Sequence, residues 1–400
     1  MKVLHIVPSL LPESGGPSRS VPELCRALTA RGTEVTLFTT HEPGSGLTIE
    51  PSQEPYEVVL FSAKDGSPAG ARAISKAIKE RANEFDLIHI HSLWNLVVTL
   101  AASAARSAGL PYVIAPRGML SEACVRQHRY ALKRAYAWTV DRRTVEGAAR
   151  LHFLNADEQR SSLNGWFRYP EYFLARNGID LSLDSIQPGS FRTRYPELKG
   201  RRIMLFLGRL NAIKGLDLQL QALQRLIGKH PDLIWVLVGP DDGEWQRLNS
   251  SIQTMGLQAH VKWIGPVMGE DRFAAIKDAD VLVQTSLYEC QSMTVNEGLA
   301  VGVPLVVTDS INYGEVESAG AGHVVPRDAA QLTNAIDRIL QAEDTNERMR
   351  EAGREFATTE LLWTKIAAIV EAAYGDAIAG LKNKDKLPDN WSETQIGVNA

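Results

Sequence analysis

Three cysteines in 400 residues, Cys25, Cys124 and Cys290, are too few and too scattered for a disulfide framework. None has the spacing of a metal-binding pair, so no structural zinc is expected and a reducing compartment fits. No stretch reaches 18 uninterrupted apolar residues, which leaves no candidate for a membrane span. The opening run from Met1 to Pro8 is interrupted by His5 and Pro8, too short for the apolar part of a signal peptide. A net charge of −4 excludes a molecule built throughout for nucleic acid. The expected location is cytoplasmic, with at most a peripheral association on the inner face of a membrane. Also missing is the Gly-x-Gly-x-x-Gly fingerprint after the first strand, and no acidic residue ends the second strand where a ribose would need one, which weakens a dehydrogenase reading.

What is present is an ordinary globular composition, 44% hydrophobic and 22% charged, in a chain long enough for two cores. Short β-branched runs alternate with longer segments of helical period. Val3–Val7, Glu34–Thr39, Glu57–Phe61, Leu87–Ile90, Tyr112–Ala115, Leu151–Leu154 and Tyr172–Ala175 read as strands of a first parallel sheet. The pattern restarts with Ile203–Leu207, Ile234–Val238, Val261–Ile264, Val281–Gln284 and Leu305–Val307. The predicted architecture is α/β, two Rossmann-like doubly wound domains facing a cleft. The first covers 1–182, a polar aperiodic linker with Pro188 and Pro196 covers 183–200, and the second covers 201–360. A last helix begins near Leu361, and 383–400 is a polar tail.

In Tyr288-Glu289-Cys290-Gln291-Ser292-Met293-Thr294-Val295-Asn296-Glu297, a strand is followed by a helix that Ser292 is placed to cap. Free N–H groups at such a start, those of Ser292, Met293 and Thr294, suit a diphosphate. Glu289 before the helix and Glu297 a turn inside it can accept hydrogen bonds from sugar hydroxyls. A loop glutamate and a solvated helix glutamate would produce the same letters. In Gly208-Arg209-Leu210-Asn211-Ala212-Ile213-Lys214-Gly215, Lys214 lies where a helix begins, unfavourable for a cation unless an anion binds there. Arg209 could fork onto the same phosphate. An exposed cation tolerated at small cost is the alternative.

Gly15 and Gly16 allow close backbone approach to a ligand, or simply a turn. His91 falls just past a strand end and is expected to face the cleft, whereas His89 reads as a core histidine. Arg117 stands at a neighbouring strand end. From Arg117 to Arg150 there are eight Arg or Lys against three acids, and the 126–143 segment could rest on anionic lipid or be a solvated helix face. Asp278-Ala279-Asp280 imitates a metal-binding triplet but directly precedes an apolar strand, and reads as a helix-to-strand junction.

Together and in this order, these motifs resemble the family-4 retaining glycosyltransferases of the GT-B fold, from about Met1 to Tyr374. The Glu289–Glu297 and Gly208–Gly215 segments carry most of the likeness. Asn177-Gly178-Ile179-Asp180 matches the family's turn before the inter-domain linker, and the stretch from Ala115 resembles the subset that builds cell-surface polysaccharide. The resemblance implies a hexose-type sugar moved from a nucleotide diphosphate donor to a glycan or lipid-linked acceptor, with no metal and no other cofactor. By it, Gly208, Arg209 and Lys214 hold the diphosphate, Glu297 the ribose and Glu289 the transferred sugar. His91 sits near the reacting carbon, Gly15 and Gly16 approach the donor phosphates, and Arg117 serves the acceptor side. The helix over about 361–380 crosses back to the first domain. Ser292 departs from the family, which usually has glycine there. A nucleotide-sugar 2-epimerase on the same fold and a non-catalytic nucleotide-binding relative are the competing readings.

Overall fold

The computed structural model describes residues 1–384 apart from 64–66, 122–123, 126–129, 163–164, 181–185 and 268. Most of the expected 383–400 tail therefore lies outside the described residues. The chain forms two compact units. The first comprises Met1–Phe153, Ser161–Ala175 and the chain from Ala367 onward, and the second comprises Leu154–Arg160 and Arg176–Ile366. Among the described residues no helix is long and apolar enough to cross a membrane.

In the first unit the strands are β1 (Lys2–Ser9), β2 (Glu34–His41), β3 (Glu57–Ser62), β4 (Leu87–His91), β5 (Tyr112–Ala115), β6 (Arg150–Phe153) and β7 (Tyr172–Leu174). They lie in the order β3-β2-β1-β4-β5-β6-β7, and every pairing is parallel. Strand order reverses between β1 and β4. Alternate residues of a strand point to opposite faces. Leu4, Ile6, Ile88 and Ile90 accordingly enter one apolar cluster, and His5, His89 and His91 fall on the other face.

In the second unit β8 (Arg202–Leu207), β9 (Leu233–Val238), β10 (Val261–Gly265), β11 (Val281–Gln284), β12 (Leu305–Thr308) and β13 (Gly322–Val325) form a parallel sheet in the order β10-β9-β8-β11-β12-β13. The order reverses between β8 and β11. Both faces are covered: Ile203, Leu205 and Leu207 join one cluster, while Met204 and Phe206 join the other. A strand buried on both faces is apolar at nearly every position, which is why Ile203–Leu207 reads as an unbroken run.

Two features differ from the sequence reading. β13 has no apolar run, and its Gly322-His323 start hides it. The stretch expected to be a linker over 183–200 contributes Ile186, Phe191 and Leu198 to the second unit's core, with a short helix at Ser190–Arg194. The last helix runs Trp363–Lys384, and its residues from Ala367 belong to the first unit. Asp278 and Asp280 form the junction read from the sequence. Asp278 accepts hydrogen bonds from the amides of Gly189 and Arg192, and Asp280 from that of Ile203.

Gly178 shows how tightly the second unit is closed. The amide of Ile179 donates to the carbonyl of Leu361 at 2.7 Å, bringing Trp363 over the turn. A Cβ on Gly178 would lie 2.5 Å from Cδ2 of the Trp363 indole. Gly178→Ala is expected to destabilise the protein by about 1–3 kcal/mol through overpacking, read from chemical denaturation of the second unit. A variant as stable as the native chain would mean that the indole is free to move.

Candidate active site

In an open parallel sheet, loops leaving adjacent strands diverge where strand order reverses, and the crevice there is the usual ligand site. In the second unit that place is the carboxyl end of β8 and β11, from which the 208–215 and 285–292 loops leave. Gly239, at the end of β9, has φ +145°, and a Cβ there would lie 1.9 Å from the carbonyl oxygen of Gly208. That contact sets the first loop close over the sheet.

The loop then makes a short 3-10 turn, Ala212–Lys214, before the helix Leu216–Leu226 begins. Gly215 joins them with φ +62°, and a Cβ would come within 2.4 Å of the Thr285 carbonyl. The two loops are thereby locked together. Lys214 does lie at a helix start, and a carboxylate answers its charge. Its Nζ is 2.6 Å from Oε1 of Glu289, which also accepts from the Ser286 hydroxyl. The Lys214 and Glu289 side chains are 21% and 12% exposed, so the pair is poorly screened. Arg209 pairs with Asp242 at 3.0 Å, but both are nearly half exposed, and such a pair contributes little.

Ser292 caps the helix Met293–Val301, its hydroxyl accepting from the Val295 amide. The Thr294 hydroxyl donates to the Leu207 carbonyl at the end of β8. Glu297 is buried and its Oε1 lies 2.9 Å from Arg272, so its carboxylate is already engaged by a cation.

The loop between Glu289 and Ser292 is pinned from beneath by amides that the sequence reading passed over. Gln291 accepts from the Asn177 amide at 2.7 Å and donates to its carbonyl. Asn296 donates to that same carbonyl, and the Tyr313 hydroxyl donates to Asn296. Asn155 donates to the Cys290 carbonyl at 2.8 Å. The Asn177-Gly178 turn is thus the platform of this loop. A signal existed in the polar Gln291 and Asn296 flanking a cap, but the partner they share, Asn177, is more than a hundred residues away in sequence.

The first unit has its own reversal point, at the carboxyl ends of β1 and β4. A cavity of about 350 Å³ opens there, lined by Ser9, Ser14, Ser92, Trp94, Asn95 and Met119 among others. Gly15, with φ +84°, ends the turn Pro12–Ser14 beside it, whereas Gly16 has φ −52° and needs no glycine on conformational grounds. Of the four non-glycine residues with positive φ among the described residues, three are here: Ser92, Trp94 and Arg117. Unusual backbone of this kind persists where surroundings enforce it, often at functional sites.

His91 departs from expectation. It is the last residue of β4 rather than a residue past its end, and it is 0% exposed. Its Nε2 lies 3.1 Å from His5 Nδ1 and its Nδ1 lies 3.1 Å from Arg117 Nη2. Both of its nitrogens are thus engaged inside the protein, Nε2 by His5 and Nδ1 by Arg117. Burial, then the charge of Arg117, holds the His91 imidazole well below its usual pKa, so it is neutral.

Of the expected basic segment, 126–129 lies outside the described residues. Lys133 donates to the Cys124 carbonyl, Arg142 pairs with Glu146, and Trp138 is 70% exposed.

The family comparisons agree with this geometry. The pattern described as Glycosyl transferases group 1 matches residues 190–356, and that described as Glycosyl transferase 4-like domain matches 15–172. The chain belongs to this glycosyltransferase family. A phosphatidyl-myo-inositol mannosyltransferase of Mycobacterium leprae is 30% identical over 202 residues, 50% of this chain and 52% of that one. A D-inositol 3-phosphate glycosyltransferase of Corynebacterium diphtheriae is 22% identical across 91% of this chain and 90% of its own. Several curated relatives are matched over only about half of their length. Among solved structures, Anabaena Alr3699/HepE in complex with UDP and glucose has a TM-score of 0.77 at 19% identity, covering 94% of this chain and 100% of that one. At that identity the likeness establishes a shared fold, the two-domain GT-B type.

Asp141 gives a test of how the cavity wall is held. It sits in a π-helical turn, Ala137–Asp141, accepts from Thr99, and is hydrogen-bonded by the backbone of cavity-lining Trp94. Burial pushes its carboxyl up to about 6, against the Thr99 bond that lowers it. The folded form therefore holds this proton more tightly than the unfolded chain, whose aspartate titrates near 3.9. Its stabilising contribution is full below about pH 4 and is lost as pH rises through about 6. Asp141→Asn should remove that loss, leaving the variant more stable than the native protein by about 2 kcal/mol at pH 8 and not at pH 4. Equal gains at both pH values would contradict the assignment.

Proposed function

We propose that this glycosyltransferase-family chain is a retaining, metal-independent enzyme. It moves a hexose-type sugar from a nucleotide diphosphate donor to a glycan or lipid-linked acceptor in cell-surface polysaccharide synthesis. The observation that carries this reading is the Lys214–Glu289 pair, 2.6 Å apart, joining the two loops that leave the second sheet at its reversal point. A cation for phosphate and a carboxylate for sugar hydroxyls, next to a capped helix start, are the groups a sugar diphosphate needs. The names of the relatives and the UDP and glucose bound to the Anabaena protein support a nucleotide-sugar donor.

On binding, donor oxygens exchange with carboxylates: the diphosphate takes over Lys214 and Arg209, while Glu289 turns to the sugar. Glu297, paired with Arg272, offers carboxylate oxygens to ribose hydroxyls. In the transfer step, the acceptor oxygen bonds to the anomeric carbon on the face from which the diphosphate departs. The acceptor proton passes to a leaving phosphate oxygen. Charge growing on that phosphate is stabilised by Lys214, Arg209 and the amides at Met293 and Thr294, which perform what a metal ion would otherwise do. Arg117 serves the acceptor side. Exposed Trp138 beside Lys133 and Arg134 supports contact of the 126–143 segment with an anionic membrane surface on the cytoplasmic side.

A thermal-shift panel of UDP, GDP, ADP, CMP and dTDP, each with and without EDTA, tests the donor reading. One diphosphate should raise the melting temperature of the second unit equally in both conditions. A ligand at a hundred times its Kd stabilises by about 2.7 kcal/mol, enough to see. No shift from any of them would favour the non-catalytic relative, and a shift abolished by EDTA would end the metal-free mechanism. With the donor known, Lys214→Ala is expected to lower kcat about 10²–10³-fold. Turnover within tenfold of native would remove Lys214 from the mechanism. Vesicle binding through the 126–143 segment should weaken as salt is raised. Binding that ignores salt would count against the basic face.

A further inference from the structure

The face of the first sheet opposite its apolar cluster carries a row of imidazoles on β1, β4 and β6. His5 on β1 stands level with His89 on β4, His91 follows two residues on, and His152 lies on β6. With Tyr374, from the helix Trp363–Lys384, all are at most 1% exposed. The contacts form one unbranched series. Arg117 Nη2 is 3.1 Å from His91 Nδ1, and His91 Nε2 is 3.1 Å from His5 Nδ1. His5 Nε2 is 3.3 Å from the Tyr374 hydroxyl, which is 2.6 Å from His89 Nδ1. His89 Nε2 is 3.3 Å from His152 Nδ1, and His152 Nε2 is 2.7 Å from the Ala175 carbonyl.

The ends of the series settle its direction. A guanidinium only donates and a carbonyl only accepts, while a neutral imidazole has one donor and one acceptor nitrogen. Starting at Arg117, His91 must accept at Nδ1 and donate from Nε2. His5 must then do the same, Tyr374 accepts from His5 and donates to His89, and His89 donates to His152. His152 delivers the last hydrogen to Ala175. Starting instead from the Ala175 end yields the same assignment, and no link is left unmatched. The series also cannot conduct, because Arg117 is no base and the Ala175 carbonyl has no proton to give. It is a device for holding, not for moving protons.

We infer that His5, His89, His152 and Tyr374 are positioning residues that lock His91 in its Nε2–H tautomer, so that its Nδ1 lone pair holds the Arg117 guanidinium just past the end of β5. Burial supports the neutral forms this requires, pushing His5 and His152 down to about 3 and His89 and His91 well below their usual range. Arg117 needs such a holder, since its backbone has φ +56°. A buried imidazole contributes an acceptor without a negative charge, so the guanidinium keeps its charge for a ligand. That last consequence rests on Arg117 serving the acceptor side, as proposed above; the tautomer lock does not. One nitrogen each of His5, His89 and His91 lie within 4.8 Å of one another, a spacing that also invites a metal ion. The neighbouring Arg117 charge and the complete hydrogen-bond series oppose that use.

Nitrogen-15 spectra of the full chain, labelled only at histidine, test the lock directly. His5, His89, His91 and His152 should each show a protonated Nε2 and a bare Nδ1, unchanged from about pH 5 to 8, a range across which an imidazole of ordinary pKa would become charged. In an Arg117→Met background, where only the Ala175 end still fixes the direction, His91 should keep its Nε2–H tautomer; adding His5→Leu there should abolish it, and His5→Gln should restore it, because an amide accepts and donates in the same place. A packing role would be filled by leucine as well as by glutamine. An Nδ1–H or doubly protonated His91 or His5 would overturn the inference. So would a mixed His91 tautomer in Arg117→Met, a native His91 signal after His5→Leu is added to it, or loss of the four signals on adding equimolar Zn²⁺. If His5→Leu does not fold, the native spectrum and His5→Gln still decide. The nucleotide-dependent melting of the second unit should be the same in native protein and His5→Gln, so failure here is separable from failure of the donor reading.

Discussion

Strand order reverses once in each sheet, next to the strand that opens it, and the chemistry of the molecule depends on that reversal. Parallel strands need crossover connections, and crossovers are almost always right-handed. A chain that moves outward from its first strand in one direction and then returns to fill the other side must send its two sets of helices to opposite faces. At the reversal the loops part, exposing strand ends. The Gly208–Gly215 and Glu289–Ser292 loops flank one such place, between β8 and β11. Pro12–Gly16 and Ser92–Asn95 flank the other, between β1 and β4.

What occupies those two places differs in kind. In the second unit, cations are each met by a carboxylate: Lys214 by Glu289, Arg209 by Asp242, Arg272 by Glu297. These pairs grade from half-exposed to nearly buried, and so from weakly to firmly held. The exposed Arg209 is released at little cost, whereas Arg272 and Glu297 stay together. In the first unit, Arg117 is met by a neutral imidazole, and the strand ends depart from ordinary backbone at Ser92, Trp94 and Arg117. One site is built on cation–carboxylate pairs, and the other holds its cation against an uncharged acceptor.

Much of this was legible. Buried parallel strands are apolar at successive positions, so eleven residues of β8 and β9, from Ile203 to Leu207 and Leu233 to Val238, announce themselves by composition alone. Ser292 before a helical run reads directly as a cap, and Gly215 as a turn. β13 did not read, because it begins with Gly322 and lies at the sheet's edge, where less apolar surface is demanded. The 183–200 stretch looked like a linker because its three core residues, Ile186, Phe191 and Leu198, follow no helical or strand period. His91 was placed just past the end of β4 and facing the cleft, whereas it is the last residue of that strand and buried.

The reason is range. Periodicity, capping and turn conformation depend on residues within a turn or two of one another, so the sequence by itself determined all of the strands but β13, most of the helices, the positions of the two motif loops and the family. Partnership across the fold depends on residues brought together only when sheets and helices close. The Gln291, Asn296 and Asn177 amides are joined over more than a hundred residues, and Tyr374 reaches His5 across 369. No local pattern distinguishes a histidine that binds a ligand from one that steadies an arginine. The difference is a matter of which atom lies 3 Å away, and only tertiary structure decided it.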